Sequence, residues 1–372
     1  MGFKCGIVGL PNVGKSTLFN ALTNVGAPAS NYPFCTIEPN VGRVDVPDER
    51  LGRLDRFIHS QRIVPASMEF VDIAGLVSGA ASGEGLGNKF LGHIRETDAI
   101  AHVVRCFDSE DITHVEGDVD PVRDIGIIDT ELALADMETV EAASARYRKG
   151  AKSGKQGLPE ILAMLEALGK HISEGLPART FDLEPFVADK VEVAHAYRDL
   201  HLITAKKVLY VCNVDDDMAD GESDNAFTKA VKAHAEKEGA FVIVVCSKLE
   251  EELSQLEEEE KKEMIADLGM SEPGLNRLIR CGYGLLGLQT YFTAGEKEIR
   301  AWTIRKGDKA PAAAGKIHGD FERGFICAEI YSLEDLEKVG ARGKLKEQGL
   351  IRQEGRDYVV VDGDVIEFRF NV

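Results

Sequence analysis

The sequence predicts an α/β protein built around a nucleotide-binding P-loop, on three observations. The stretch Gly9 to Ser16 reads G-L-P-N-V-G-K-S and fills every fixed position of the pattern G-x-x-x-x-G-K-[ST]. A short apolar strand precedes this loop, and a helical pattern follows it. Much later, Val208 to Cys212 reads as a buried parallel strand that returns the chain to the same unit.

The P-loop predicts where phosphates bind. Backbone N–H groups of a glycine-bearing turn converge on a phosphate, and the following helix N-terminus adds its dipole. Lys15 would reach the β- and γ-phosphate oxygens and assist catalysis, while the Ser16 hydroxyl would hold Mg²⁺. The nucleotide contacts predicted at this loop are Gly9, Leu10, Pro11, Asn12, Val13, Gly14, Lys15, Ser16 and Thr17.

Composition limits the function classes. The 372 residues include 44 Lys and Arg against 63 Asp and Glu, which gives a net charge of −19 and predicts two or three domains with an acidic surface. Contact with nucleic acid therefore requires a local basic patch. The seven cysteines form no C-x-x-C pair. With no signal peptide and no long apolar run, we expect a cytoplasmic protein without a membrane partner.

Two loops are predicted to respond to the nucleotide. A turn-rich stretch at 31–40 carries Thr36, which a nucleotide switch would place on Mg²⁺. The strand Met68 to Val71 ends in D-I-A-G, so that Asp72 could hold a Mg²⁺-bound water and the Gly75 N–H could meet the γ-phosphate. The glycine-rich sequence that follows is costly to order without a ligand.

The catalytic group is expected away from the position that small GTPases use. Leu76 occupies the position where many small GTPases place a water-orienting glutamine, and leucine cannot orient water. Another group must then act. His114, in a polar loop beyond the strand at 100–107, is the better candidate. His102 has apolar neighbours that indicate a core histidine, while His93 lies in a predicted helix and could serve either role.

Residues 130–202 predict an inserted helical hairpin. Leu134, Met137, Val140 and Tyr147 recur at helical spacing, and so do Ile161, Leu165, Leu168 and Ile172. The turn between the two helices is predicted near 153–157. The hairpin tip is defined by five basic residues, which form either an interaction surface or a solvated helix end: Arg146, Arg148, Lys149, Lys152 and Lys155.

The base-reading segment is expected after the returning strand. There the chain reads Asn213-Val214-Asp215-Asp216, where GTPases carry N-K-x-D. We expect Asn213, Val214 and Asp216 at the base, with Cys246-Ser247-Lys248 as a final base-proximal loop after the strand at 241–245. The acidic run at 250–263 predicts a solvated helix face.

The carboxyl-terminal part predicts a small α+β unit without a catalytic constellation of its own. Its expected strands surround a helix near 310–318 and cover residues 288–293, 301–304, 327–330, 358–361 and 365–370. The predicted organisation is a nucleotide-binding domain in two parts, 1–129 and 203–281, the hairpin at 130–202, and the final unit at 282–372.

These motifs resemble the YchF family, the Obg-like ATPases among the Obg-related P-loop NTPases. The similar stretches are G-L-P-N-V-G-K-S, N-Y-P-F-C-T-I-E-P-N, D-I-A-G-L-V-S-G-A-A-S-G-E-G-L-G-N-K-F and L-Q-T-Y-F-T-A-G. The resemblance implies a Ras-like G domain, an inserted helical hairpin and a C-terminal β-grasp TGS domain. It also implies Mg²⁺-dependent ATP hydrolysis, ribosome association, and a histidine at the position of His114 that compensates for Leu76.

One residue departs from the family pattern. Asp216 replaces a glutamate at the fourth place of the base motif, and aspartate is also what a guanine reader uses. This departure favours guanine, whereas the resemblance as a whole implies ATP. From the resemblance we expect an ATP-hydrolysing switch that meets ribosomal RNA through the hairpin tip and the TGS domain. The alternatives are a translation-associated GTPase, a nucleotide-gated scaffold with little turnover, and a P-loop kinase. An asparagine at position 12 also predicts K⁺ beside the phosphates.

Overall fold

The computed structural model describes residues 3–24, 40–73, 86–109, 112–150, 157–187, 190–221 and 223–371. The chain divides into two compact units. The first comprises Phe3–Gly42 and Glu69–Leu278, and the second comprises Arg43–Met68 and Ile279–Val372. Among the described residues, no helix has the length and the apolar character needed to cross a bilayer.

The amino-terminal and central parts of the chain alternate strands and helices. The strands are β1 (Lys4–Val8), β2 (Asn40–Asp45), β3 (Ile63–Val64), β4 (Ser67–Asp72), β5 (Ala99–Arg105), β6 (Lys207–Asn213) and β7 (Phe241–Val245). The helices are α1 (Lys15–Asn24), α2 (Glu49–Ile58), α3 (Leu86–Arg95), α4 (Pro121–Gly150), α5 (Leu158–Ser173), α6 (Glu184–Val187), α7 (Val191–Arg198), α8 (Ala226–Glu238), α9 (Ser247–Leu253), α10 (Glu258–Asp267) and α11 (Gly274–Leu285).

A six-stranded sheet with the order β2-β4-β1-β5-β6-β7 positions the nucleotide-binding loops. Its central strands pair in parallel, with Ile7 opposite Asp72 and Val8 opposite His102. All seven residues of β5 are buried, as expected for a strand covered on both faces. Because parallel strands end at one edge, the segments after β1, β4, β5, β6 and β7 lie together there.

The helical hairpin is longer than the sequence pattern predicted. Helix α4 has 30 residues and begins at Pro121, nine residues before the predicted boundary at Thr130. Val140 is buried, whereas Leu134, which was expected on the apolar face, is 50% exposed. The predicted apolar positions of α5 are all buried against α4 and α7: Ile161, Leu165, Leu168 and Ile172. Most of the predicted turn, with Lys152 and Lys155, lies outside the described residues.

Charged side chains join the hairpin to the segment before β6 and to α8. Asp136 of α4 is fully buried and accepts hydrogen bonds from the backbone N–H groups of Ile203 and Thr204 at 2.8 and 2.7 Å. Arg179 donates to Glu238 of α8 at 2.6 Å and lies 3.8 Å from Asp129 of α4. Burial alone would raise the pKa of Glu238, but its contacts with His234 and Arg179 lower that pKa to about 2. The root of the hairpin therefore rests on polar contacts as well as on its apolar core.

The acidic run was predicted to be wholly solvated, and this was wrong for one residue. Glu250 is only 2% exposed, and its carboxylate accepts a hydrogen bond from the Gly274 N–H at 2.5 Å. A sequence of glutamates does not show which of them faces a neighbouring backbone donor. Residues 258–260 follow the prediction and are exposed.

The second unit contains the carboxyl-terminal part of the chain. Its strands are β3, β8 (Leu288–Ala294), β9 (Ile299–Arg305), β10 (Phe325–Tyr331), β11 (Arg352–Glu354) and β12 (Val365–Phe370). They form a sheet with the order β11-β10-β12-β8-β9-β3. Its helices are α2, α12 (Ala310–Ile317), α13 (Gly319–Arg323), α14 (Leu333–Val339) and α15 (Arg342–Glu347).

Helix α12 packs on this sheet through three alanines, Ala310, Ala313 and Ala314, which are fully buried against the sheet core. The small side chains allow the helix to approach the strands closely. The parallel pairing of β12 with β8, between antiparallel neighbours, suits a β-grasp unit. Residues 358–361 do not form the predicted strand. Only an isolated bridge joins Val359 to Lys309, because the Asp364 carboxylate accepts the Val361 N–H at 2.9 Å in a turn.

Candidate nucleotide-binding site

The P-loop lies between β1 and α1, as the sequence predicted, and both of its fixed glycines are needed there. Gly9 has φ 153°, and a Cβ at this position would come within 2.4 Å of the Val103 carbonyl oxygen. Gly14 has φ 96°, and a Cβ there would lie 2.3 Å from Nδ2 of Asn213. A side chain at position 9 would therefore collide with the backbone of β5, and one at position 14 would displace the Asn213 amide.

Lys15 begins α1 and is buried, with its Nζ donating to the Leu10 carbonyl oxygen at 2.6 Å. Burial lowers its pKa to about 8, although the nearby charge of Asp72 acts in the opposite direction. An ammonium group held inside a glycine-bearing turn, with no carboxylate of the described residues hydrogen-bonded to it, is suited to receive phosphate oxygens. Leu10 and Val13 are buried beneath the loop, whereas Asn12 and Ser16 are exposed on it.

Asp72 ends β4, next to β1, and its Oδ1 atom is buried without a hydrogen-bond partner among the described residues. Burial raises the pKa of this carboxyl, and the Lys15 charge opposes that rise. An unsatisfied carboxylate oxygen near the P-loop lysine fits a Mg²⁺ ion held through water. Three other predicted site residues, Thr36, Gly75 and Leu76, lie outside the described residues.

A cavity of about 610 Å³ extends from the P-loop toward the ends of β5, β6 and β7. The described residues that line it come from these four segments: Asn12, Gly14, Lys15, Ser16, Thr17, Phe107, Ser109, Ile112, Asn213, Val214, Asp215, Cys246, Ser247 and Lys248. The volume is within the range of pockets that hold small ligands. The cavity therefore joins the predicted phosphate loop to the predicted base-reading segments.

Asn213 joins two loops through its side-chain amide. Its Nδ2 donates to the Val13 carbonyl oxygen, and its Oδ1 accepts the Ser247 N–H, both at 2.9 Å. Asn213 was expected to contact the base, and the structure places its amide between the P-loop and the loop after β7. The buried Ser247 hydroxyl lines the cavity and has no partner among the described residues, so a ligand there could satisfy it.

Asp216 lies in a short 3₁₀ helix beside the same loop. Its Oδ2 pairs with Nζ of Lys248 at 2.9 Å, and its Oδ1 accepts from Sγ of Cys246 at 3.2 Å. Hydrogen bonding from Lys248, and then from Cys246, holds the pKa of Asp216 below its usual range. Both oxygens therefore have partners within the protein before any base arrives. The pairing with Lys248 was not predicted from the sequence.

The loop between β5 and α4 is attached to the P-loop and to its own strand. Arg105 is 1% exposed and donates to the carbonyl oxygens of Phe107, Ser109 and Ile112. Asn12, with φ 62°, donates through Nδ2 to the Thr113 carbonyl oxygen at 3.3 Å. Arg105 was not predicted as a site residue, although an arginine at the end of an apolar strand is a signal for a special role.

His114 follows directly and is not an exposed loop residue. It is 6% exposed, and its Nε2 lies 2.9 Å from Oδ2 of Asp124 in the first turn of α4. Burial raises the pKa of Asp124, and the neighbouring His114 and Arg123 oppose that rise. His102 is a core residue, as expected, and burial lowers its pKa to about 3. His93 lies on α3 and is partly exposed.

Comparison with known families agrees with this arrangement. A family model described as a 50S ribosome-binding GTPase matches residues 4–134, which contain the P-loop and the D-x-x-G segment. A second family model, for the carboxyl-terminal part of YchF GTPases, is described as a protein of unknown function and matches residues 288–371.

Curated relatives match over the whole chain. A ribosome-binding ATPase YchF from Haemophilus influenzae is 54% identical over 379 residues, with 100% of both chains covered. One from Bacillus subtilis is 52% identical over 372 residues, again with 100% of both covered. A solved structure of a Schizosaccharomyces pombe YchF GTPase has a TM-score of 0.84 at 40% identity and covers 99% of this chain and 98% of its own. The predicted fold class is confirmed.

Proposed function

The chain belongs to the YchF family of P-loop nucleoside triphosphatases, and from this premise we propose that it is a cytoplasmic ATPase that associates with ribosomes. Both the relatives' names and the family resemblance seen in the sequence support this proposal. The observation that carries it is the cavity that runs from the P-loop, with Lys15, to the segments after β6 and β7. A nucleoside triphosphate has phosphates and a base to fill both ends.

The proposed roles follow from the geometry. The P-loop amides and Lys15 would bind the phosphates, and Ser16, Thr36 and Asp72 would organise Mg²⁺, which neutralises charge developing during phosphoryl transfer. Asn213 would position the P-loop and the base loop relative to each other. We propose that His114 positions the attacking water, as Leu76 cannot. His114→Ala should then lower turnover about 10²- to 10⁴-fold at nearly unchanged nucleotide affinity.

We propose that ATP is preferred over GTP. Guanine recognition by aspartate uses both carboxylate oxygens as acceptors for the base, and in this chain Lys248 and Cys246 already contact them. Val214 also replaces the lysine of N-K-x-D. Guanine must therefore compete with Lys248 for the Asp216 carboxylate, which weakens GTP binding. Adenine offers no matching pair of donors, so the Lys248 contact does not reduce its affinity.

Calorimetric titration with ATP and with GTP tests this preference. Wild type should bind ATP more tightly. Lys248→Ala should lower the ratio of the GTP dissociation constant to the ATP dissociation constant by about five-fold at most, because an exposed ion pair contributes little free energy. The matched control is Lys232→Ala, which removes another exposed ion pair, to Asp224, away from the cavity. Tenfold tighter GTP binding by wild type would instead support the GTPase alternative.

We extend the proposal to a K⁺ ion held by the side-chain carbonyl oxygen of Asn12. This oxygen is available because the side-chain nitrogen, Nδ2, is the atom that contacts Thr113. A cation there would compensate charge that an arginine finger neutralises in other NTPases. Turnover should be faster in K⁺ than in Na⁺ at matched ionic strength. Equal rates would remove K⁺ from the proposal without affecting Mg²⁺ or ATP.

A nucleotide-gated scaffold is the second candidate, and the burial of His114 favours it. A catalytic histidine that is 6% exposed would make turnover slow in the free protein. Single-turnover hydrolysis with and without ribosomes distinguishes the two functions. A scaffold would show tight ATP binding and no hydrolysis in either condition.

A further inference from the structure

The two nitrogens of the His114 ring both have partners within the protein. Nδ1 accepts the Glu116 backbone N–H at 3.1 Å, so the proton of the neutral ring is on Nε2. Nε2 therefore donates to Oδ2 of Asp124 at 2.9 Å. The side chains of His114 and Asp124 are each 3% exposed. In this arrangement the ring has no nitrogen available to a water molecule in the cavity.

His114 connects two parts of the protein: the cavity loop that precedes it in the sequence, and helix α4, which follows it. Thr113 accepts from Asn12 of the P-loop, and Ile112 lines the cavity and accepts from Arg105. Asp124 instead belongs to the first turn of α4, the helix that continues into the hairpin. His114 is thus the point where the cavity loop meets the hairpin helix through a buried, charge-assisted hydrogen bond.

We propose that Asp124 is a positioning residue that holds His114 away from the nucleotide, so that hydrolysis requires the Asp124 contact to open. This inference rests on the proposed function, since it assumes that His114 acts on ATP. Only the fraction of molecules with a released ring is competent, and the observed turnover is reduced by that fraction. A change in α4 that separates Asp124 from the ring increases the fraction.

The position of Asp124 suggests what moves it. The carboxylate is carried by α4, whose other end holds Arg146, Arg148 and Lys149 of the hairpin tip. A partner that binds the tip would act on the same continuous helix. Arg123 also contacts Asp124, at 3.2 Å, and pairs with Asp118 at 2.7 Å. Because of the Asp118 contact, the charge of Arg123 stays neutralised when the hydrogen bond between Asp124 and the His114 ring breaks.

The test uses the full chain and three variants: Asp124→Asn, His114→Ala and the double variant. Asparagine keeps the size of the side chain and removes its charge, which weakens the bond to Nε2. Steady-state ATP turnover should rise about 3- to 10-fold in Asp124→Asn, with the KM for ATP nearly unchanged. In the His114→Ala background the same change should have no effect on turnover. Asp118→Asn is the matched control, because Asp118 also pairs with Arg123 but makes no hydrogen bond to the His114 ring among the described residues.

Nitrogen NMR of the histidine rings gives a readout independent of activity. The His114 signals, assigned by their loss in His114→Ala, should show the Nε2–H tautomer in wild type and a mixture of tautomers in Asp124→Asn. Ribosomes should stimulate Asp124→Asn less than wild type, because the contact is already weakened.

The outcomes separate this inference from the proposed function. If His114→Ala hydrolyses ATP as fast as wild type, the catalytic role of His114 fails, and the NMR result still reports whether Asp124 orients the ring. If His114→Ala is inactive but Asp124→Asn is unchanged or slower, the inference is overturned and Asp124 supports the histidine instead. A faster rate that persists in the double variant also overturns it.

Discussion

At the scale of single residues, Lys15 has an unusual protonation equilibrium. Its pKa is lowered from 10.5 to about 8 by burial, so between these values the unfolded chain binds more protons than the native protein. Without nucleotide, stability should therefore rise as the pH increases through this range. Phosphates reverse the effect because they favour the charged ammonium.

The expected consequence is proton uptake when ATP binds. At pH 8.5 a substantial fraction of Lys15 is neutral before binding and charged after it, because its pKa is about 8. Calorimetry in two buffers of different ionisation enthalpy should show different apparent binding enthalpies at pH 8.5. At pH 6.5, where Lys15 is already charged, the two buffers should agree for this group, which provides the control. Identical enthalpies at pH 8.5 would contradict the lowered pKa.

The sequence predicted some of these residues and missed others for a physical reason. Lys15 and Gly14 belong to a contiguous motif, so local spacing alone specifies their positions. Asp124 and Lys248 act through partners that only the fold brings close, ten residues away for His114 and 32 residues away for Asp216. No local pattern distinguishes such pairs from ordinary surface charges.

At the scale of elements, the start of α4 shows a signal that hydrophobic periodicity overlooked. Asp120 accepts the N–H groups of Val122 and Arg123 at 3.1 Å each, and Pro121 occupies the first helical position. An aspartate cap followed by proline is a standard helix start. Capping residues would therefore have given the correct boundary, while the apolar spacing that begins near Leu134 gave a later one.

The root of the hairpin gives a stability prediction. Arg179 is nearly buried and neutralises Glu238 and Asp129. Burial raises the pKa of Asp129 to about 6. Arg179→Ala would remove the guanidinium from both carboxylates, and we expect a loss of about 3 kcal/mol in unfolding free energy. Urea denaturation measures this loss. The control is Arg148→Ala, an exposed pair with Glu166, expected to cost less than about 1 kcal/mol. Equal losses would show that the buried arginine is not required.

At the scale of the whole molecule, the charge distribution determines how an acidic protein could bind RNA. With a net charge of −19, long-range attraction to a ribosome is unfavourable, and contact must come from a basic region such as the hairpin tip. Part of the tip is already engaged, since Arg148 pairs with Glu166 and Arg146 lies 5.1 Å from the Tyr147 ring centre. We therefore expect the lysines at the tip, rather than its arginines, to make the main contacts with RNA phosphates.

Changing Lys149, Lys152 and Lys155 to glutamate should reduce ribosome co-sedimentation and leave the ATPase activity of the free protein intact. Each lost phosphate contact should flatten the log–log salt dependence by about 0.7. The control variant changes Lys229, Lys237 and Lys262, which are exposed elsewhere in the same unit, and has the same net charge. If both variants sediment like wild type across a salt series, the tip is a solvated helix end and the TGS unit becomes the leading candidate for docking.

The unbroken helix α4 also fixes the angle around its axis between Asp124 and the basic residues of the hairpin tip. Asp124 and Arg148 are 24 residues apart on it, and at about 100° per residue their side chains point about 240° apart around the axis. A single inserted residue would rotate everything beyond it by about 100° and turn the basic face toward a different side, whereas seven residues would restore the angle to within about 20°. The hairpin can therefore change in length and keep the direction of its basic face only in steps close to a whole number of helical turns, such as about seven residues for two turns or about eleven for three, matched in α5.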